Sequence, residues 1–423
     1  MKFAFVTARY GADITSGPDH ACRLLAEQVS SRHDVDVLTT CARNPRTWKN
    51  EYSEGNDRVR GALVRRFAVS QPRDDQSFAL YSERLLAAPR ARTDELEWLR
   101  RAGPWSAGLL DFIRRQHKSY DVLVFFSICS PLTVNGAAIA LDRSIVFPYL
   151  QLHPALRFDV TAETLAAVRG VGLISGAERH LLRSYVRTTA QHEELVGIGI
   201  DPSPEQSYPR HQQDPADTIV DEEVGGGSGD SEEPESYLAG RGVPFRRRHR
   251  LYGPFALYGG RVEPDNGCEE MLEYFDTFAA SDADVALALM GVKMMKVPDE
   301  PHIRLAGVLP ERLRMIAYEA AEVTIAPSAD DLVAQPLLES LAVGTPVLAS
   351  ARNAAAVEHC RRANAGLYYA NREEFVEALK LLMTNGRLRG RLGENGRTYI
   401  RQNFRWDAVL GRFDRLVARA RTK

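Results

Sequence analysis

Short apolar runs alternating with amphipathic stretches are the feature that most narrows what this chain can become. "KFAFVTA", "DVDVLTT", "DVLVFFS" and "SIVFPYL" are separated by segments such as "HACRLLAEQVS", whose apolar positions recur at helical spacing. Strands that are apolar on both faces occur where helices cover both sides of a parallel sheet. The pattern breaks after "VGIGID": residues 202–237 are rich in Pro, Gln, Asp, Glu, Gly and Ser, with "DEEVGGGSGDSEEPES" at their centre, a composition too polar to bury a core. It resumes from Pro254 with "PFALYGGRV", "DVALALMG", "HIRLAGV", "EVTIAPS", "TPVLAS" and "GLYYA". A chain of 423 residues also exceeds what one ordinary core accommodates. The expected architecture is therefore α/β, with two Rossmann-like doubly wound parallel-sheet domains facing a central cleft. Residues 1–201 form the first, 202–250 a linker or insertion, 251–405 the second, and 406–423 a helix packing back toward the first. Such sheets take ligands beyond the carboxyl ends of their strands, where helix N-termini offer backbone N–H groups to anions.

Composition removes several function classes. With 54 Lys and Arg against 56 Asp and Glu, the formal net charge is -2, so nothing pulls the whole chain toward nucleic acid. The densest basic run, "RRRHR" at Arg246–Arg250, reads as a solvated face; its second reading is peripheral contact with anionic lipid at the inner face of a membrane. Cys22, Cys41, Cys129, Cys268 and Cys360 stand far apart without a CxxC pair, which suggests neither zinc nor a disulfide framework and fits a reducing cytoplasm. "MKFAFVTARYGAD" is interrupted by Arg9 and reads as a buried first strand rather than a signal peptide, and no uncharged apolar run reaches the roughly 18 residues of a membrane span. Asp34 with Asp36 and Asp282 with Asp284 resemble acidic pairs that hold divalent ions, but both stand at pre-strand turns where Asp is at home, so no metal is expected. There is no GxxxxGK[ST], GxSxG or HExxH motif.

Two segments carry candidate chemistry. In "LYGGRVEPDNG" a strand runs out through two glycines and leaves Arg261 at its mouth just before a helix, where a guanidinium suits a phosphate. In "PSADDLVAQPLLESLAVGTPVLAS" a strand ends at Pro327, a loop carries Asp330 and Asp331, and Pro336 suits the first turn of a helix because its fixed φ is helical and its missing N–H is not needed there. Glu339 follows one turn in. Its two oxygens could accept neighbouring hydroxyls, as on a ribose, and Asp331 could take hydroxyls of a second sugar.

The acid, seven residues, acid spacing of Asp331 and Glu339, followed by "LAVGTPVLAS", "ANAGLYYANREEFVEALKLLM" and "RLGENGRTYIRQNFRWDAV", resembles the C-terminal half of retaining glycosyltransferase family 4, whose fold is GT-B. The likeness extends through "GRVEPDNG" and "SGPDHACRLLAEQV", and "TTCARNPRTWKNEY" is similar to one bacterial subgroup. The resemblance implies that Arg261 and the position of Asn266 hold a donor diphosphate, that Glu339 binds the ribose and that Asp331 contacts the donor sugar. Gly17 and Leu332 fall in its nucleotide-sugar-binding loops. A family histidine near the reacting carbon aligns with Gln151 without gaps, or with His153 two residues on. No metal and no cofactor other than the nucleotide-sugar donor is implied. This chain departs from the pattern: Asn266 stands where the family has lysine, Asp331 is one methylene shorter than the family's glutamate, "LVAQ" replaces glycines, Ser16 replaces a glycine, and Asp19 a glutamate. A cation missing opposite a phosphate leaving group in a desolvated site is worth several kcal/mol, on the order of one oxyanion donor.

The resulting expectation is a cytoplasmic glycosyltransferase, peripheral at the membrane if its basic run rests on lipid, that moves a sugar from a nucleotide-sugar in glycan or polysaccharide synthesis. The acceptor, whether sugar, lipid-linked or protein, stays open. The alternative is a catalytically degenerate glycosyltransferase-like protein that serves as a binding or scaffolding partner, since the departures fall at the expected site.

Overall fold

A computed structural model describes residues 1–15, 17–150, 153–186, 190–201, 242–281 and 284–422. Gln151, Ser16, Asp282 and the Gly-rich acidic centre of the polar stretch lie outside the described residues. The chain forms two compact units, Met1–Gly199 with Trp406–Lys423, and Ile200–Arg405.

The first unit is built on an eight-stranded sheet in the order β3-β4-β2-β1-β5-β6-β7-β8. Its strands are β1 Lys2–Val6, β2 Asp34–Thr40, β3 Gly55–Val59, β4 Ala62–Phe67, β5 Val122–Phe126, β6 Ser144–Phe147, β7 Gly170–Leu173 and β8 His192–Leu195. All pairings are parallel except β3 with β4. Those two strands are joined by Arg60 and Gly61, both at positive φ (47° and 90°), the backbone that a two-residue hairpin requires. β3 reads "GNDRV" and is largely exposed; its charges suit an edge that must not recruit another strand. The helix Trp406–Arg421 closes this unit's core: Phe413 sits 5.9 Å from Phe3 and 6.3 Å from both Phe5 and Phe147, ring centre to ring centre. Arg412 donates to the Val196 carbonyl at 2.8 Å, and Arg415 and Arg419 both pair with Glu194.

The second unit has six strands, β9 Phe255–Gly259, β10 Ala286–Met290, β11 Ile303–Gly307, β12 Val323–Ala326, β13 Val347–Ser350 and β14 Gly366–Tyr369. Their order is β11-β10-β9-β12-β13-β14, and every pairing is parallel. Phe275, Leu287, Leu289, Ile325, Leu348, Tyr369, Phe375 and Leu379 are fully buried in one cluster between sheet and helices, as the unbroken apolar strands demand. The basic run is not wholly a solvated face. Arg246, on the helix Val243–Arg248, is buried: it stacks 4.7 Å from the Phe255 ring centre and donates to the carbonyls of Gly253 (2.8 Å) and Ala320 (2.5 Å) and to Glu322 (3.1 Å). Acceptors on two neighbouring segments, Leu251–Gly253 and Ala320–Glu322, offset the cost of taking this guanidinium out of water. No helix among the described residues is long and apolar enough to cross a membrane.

Candidate functional site

In the second sheet the chain runs outward from β9 through β10 to β11 and then crosses back to β12 on the other side of β9, so the winding direction reverses between β9 and β12. In doubly wound sheets that reversal opens a crevice outside the carboxyl ends of the two strands. The loop after β9 and the loop after β12 meet there. Gly267 has φ +73°, and a Cβ on it would lie 2.7 Å from the Pro327 carbonyl oxygen. Glycine is required twice over, by the left-handed backbone and by the close approach of the neighbouring loop.

Arg261 emerges at the start of the first loop with 55% of its side-chain surface exposed, and its Nη2 lies 2.9 Å from Glu263 Oε1. Its carbonyl accepts from the Tyr258 hydroxyl at 2.8 Å, Asn266 Nδ2 at 3.0 Å and, more weakly, the Cys268 thiol at 3.8 Å. The same Asn266 amide donates to Glu263 Oε1 at 3.1 Å. Asn266 thus braces the turn that presents Arg261, a task that an ammonium on a long flexible stem would perform differently. Glu263, itself buried, is a residue that sequence reasoning passed over; its spacing two residues after Arg261 was the available signal.

The loop after β12 leads into the helix Gln335–Val343, with Pro336 in its first turn. Asp331 Oδ1 accepts from the backbone N–H groups of Val333 (3.1 Å) and Ala334 (2.9 Å). Burial raises the Asp331 pKa, and the two amide bonds act against that rise. Among the described residues no donor reaches Oδ2. Leu332 is half-buried in the same turn, and Ala334 sits at φ +51°, a left-handed conformation costly for a side chain with a Cβ.

Glu339 is buried, at 5% exposure, and is gripped by Arg314. Arg314 Nε donates to Oε2 at 2.8 Å and Nη2 to Oε1 at 2.7 Å, while Gln335 Nε2 adds a third bond to Oε1 at 3.0 Å. Burial works against the Arg314 cation, but the Glu339 carboxylate outweighs it and the arginine pKa is raised. Arg314 lies on the helix Glu311–Ala320 and was not singled out from sequence. The usable signal was a charge one turn before Tyr318, on the helix face whose next members, Ala317 and Tyr318, are fully buried.

The remaining sequence-derived candidates belong to the first unit. Gly17 opens the helix Gly17–Ser30 beyond the end of β1 with φ +77°; a Cβ there would meet nothing, so the backbone alone calls for glycine. Asp19, two residues further on, is buried and accepts from Thr7 Oγ1 (2.7 Å), Arg9 N (3.1 Å) and Arg9 Nε (2.7 Å). His153 follows β6. Its Nδ1 accepts from Ala155 N–H at 3.3 Å, and its ring meets Trp98 edge-on at 5.5 Å. Burial of that ring lowers its pKa even though part of the residue is exposed, so the neutral tautomer with the proton on Nε2 prevails near neutral pH. Beneath the same loop lies Glu178, 1% exposed, which Leu150 N–H (2.9 Å) and Ile174 N–H (2.6 Å) reach together with the amides of Tyr149 and Ser175. Burial nevertheless pushes its pKa up to about 7. Of the acidic pairs, Asp36 is taken up by the Tyr120 hydroxyl at 2.6 Å and Arg65 Nε at 3.2 Å.

With this geometry, comparison with known proteins defines a class. Residues 244–399, most of the second unit, match the family described as Glycosyl transferases group 1. The chain is similar to solved GT-B glycosyltransferases, and its two parallel-sheet α/β units are of that fold. Among these structures is the Anabaena protein HepE in complex with UDP, at 12% identity over 99% of this chain and 100% of that one, with TM-score 0.66. Sucrose-phosphate synthase from Thermosynechococcus elongatus is similar at 14% identity over 99% and 98%, TM-score 0.63. WaaG, a glycosyltransferase involved in lipopolysaccharide biosynthesis, is similar at 14% identity over 98% and 99%, TM-score 0.59.

Proposed function

We propose that the protein is a retaining glycosyltransferase of the family 4 type that binds a nucleotide-sugar on its second unit and transfers the sugar to an acceptor hydroxyl. One observation carries this reading: at the strand-order reversal, a half-exposed guanidinium, the open end of a helix and a buried carboxylate one turn into that helix belong to two loops packed against each other. A cation and a helix N-terminus suit a diphosphate. Glu339 supplies an acceptor for a ribose hydroxyl, and Asp331 Oδ2 is left for a hydroxyl of the donor sugar. UDP in the similar HepE structure supports a nucleoside diphosphate as the group held.

In the transfer, the bond from anomeric carbon to phosphate oxygen breaks and the acceptor oxygen bonds to that carbon on the same face. The acceptor proton passes to the departing phosphate, and nucleoside diphosphate is released. Arg261 and the backbone N–H groups at the helix start stabilise the charge that grows on the leaving group, the term that usually dominates such catalysis. On the first unit, His153 Nε2–H can donate to a substrate hydroxyl; Gln151, the other position that the resemblance offers, lies outside the described residues. A second reading, a binding partner without turnover, is favoured by the Asn266 amide, which braces its own loop and brings no positive charge.

Thermal-shift measurements with UDP, GDP and ADP and their sugars, followed by assay for released nucleoside diphosphate, test both. A shift with release upholds the transferase, a shift without release for any acceptor class upholds the partner, and no shift with any ligand overturns both.

A further inference from the structure

We propose that Arg314 is a positioning residue that fixes the Glu339 carboxylate so that it can take one ribose hydroxyl and not two. This rests on the nucleotide site proposed above. A carboxylate offers about four lone-pair positions. Oε1 already accepts from Arg314 Nη2 and Gln335 Nε2, and Oε2 accepts from Arg314 Nε. One position remains, on Oε2. The side-on guanidinium holds both oxygens in its own plane, so that remaining lone pair has a fixed direction, which a carboxylate anchored by one flexible partner would lack. Glu339 is buried and Arg314 has only 15% of its side chain exposed, so water does not loosen the pair. Recognition of the ribose therefore falls on a single hydroxyl at Glu339, and its sharpness depends on a side chain from a different helix, 25 residues earlier in the chain.

The test is calorimetric titration of wild type, Arg314→Met and Arg314→Lys with UDP, 2′-deoxy-UDP and 3′-deoxy-UDP, or with the corresponding GDP or ADP set if that base binds best. Wild type should lose about tenfold or more in affinity for one deoxy analogue and stay within about threefold for the other, as expected for one hydrogen bond to a charged group. In Arg314→Met the difference between the two analogues should shrink to within about threefold, whereas a purely structural ion pair would lower thermal stability and leave that ratio intact. If the methionine variant does not fold, Arg314→Lys carries the test: it keeps the charge and loses the two-point grip, so its discrimination should fall too. Equal loss with both analogues in wild type, or undiminished discrimination in the Arg314 variants, would overturn the inference while leaving the nucleotide site standing. A wild type that binds no nucleoside diphosphate removes the site and the inference together.

Discussion

Glu178 makes the first unit's stability depend on pH in a direction opposite to that of most carboxylates. Its pKa moves from 4.5 for the free side chain to about 7 in the fold, because burial opposes ionisation more than the surrounding amides favour it. Between those two values the folded protein holds a proton that the unfolded chain has released, so stability is greatest below the lower value and falls as pH rises toward the upper one. Above the upper value the group is ionised in both states and its contribution is flat. A rise of roughly 2.5 units corresponds to about 3 kcal/mol lost across the window. Glu178→Gln abolishes the titration. Its absolute stability also changes, since an amide accepts fewer of the backbone N–H groups, so the readout is the pH dependence of the difference between variant and wild type. All four tryptophans, Trp48, Trp98, Trp105 and Trp406, lie in the first unit. Urea unfolding followed by tryptophan fluorescence therefore reports on that unit alone. From pH 5 to pH 8 the wild-type midpoint should fall relative to the variant by roughly 1 M, given a urea slope of about 2–3 kcal/mol/M for a unit of this size. Parallel curves for the two proteins would refute the reasoning.

Three further outcomes are expected. Arg261→Ala should weaken binding of the best nucleoside diphosphate by about 10- to 100-fold in calorimetry, with little change in thermal stability because its ion pair with Glu263 is partly solvated; unchanged affinity would remove the phosphate grip. Arg246→Met takes the guanidinium away from the Glu322 carboxylate, which keeps the Phe255 N–H, and from the Leu251, Gly253 and Ala320 carbonyls; it should cost the second unit about 3–5 kcal/mol, read by calorimetric unfolding, and a transition unmoved by the substitution would mean the buried guanidinium is dispensable. Gly267→Ala forces a Cβ against the Pro327 carbonyl in a left-handed backbone and should cost about 1–3 kcal/mol while loosening nucleotide binding; wild-type stability and affinity together would show that the two loops are free to separate.

The strands of the second unit were legible because each is an apolar run bounded by Gly, Pro or a charged turn, and a buried parallel strand has few other ways to appear in sequence. β3 was not, since "GNDRV" has neither alternation nor apolar content and is a strand only because Arg60 and Gly61 turn it back onto β4. Arg246 was misread for a related reason: a run of like charges is ordinarily solvated, and nothing local reveals that the Phe255 ring and the Ala320 carbonyl, the latter 74 residues away, will enclose one of them. At the site, the types and spacing of Arg261, Asp331 and Glu339 could be read, but their engagements could not, because the partner of Glu339 lies on another helix.

Those engagements bear on how the site must work. Arg261 has Glu263, Glu339 has Arg314 and Gln335, and Asp331 has two backbone amides, so every charged group assigned to the nucleotide-sugar already holds a protein partner. A ligand group that merely replaced such a partner would gain little, since one charge-assisted bond would be exchanged for another. On the proposed reading, net affinity comes from the capacity left over: the remaining donors of Arg261, the last lone pair of Glu339, Oδ2 of Asp331, and the first N–H groups of the helix Gln335–Val343. Asn266 fits this arrangement. A lysine in its place would add a cation toward a diphosphate, but it would also compete with Arg261 for Glu263 and withdraw the amide that holds the Arg261 carbonyl. On the proposed reading, one braced cation among the described residues, Arg261, stands where the resembling family uses two, and the energetic difference should appear in stabilisation of the departing phosphate, hence in turnover more than in donor affinity. Saturating donor affinity combined with slow release of nucleoside diphosphate is the kinetic signature that follows, and fast turnover at ordinary affinity would show that the second cation is supplied by another residue.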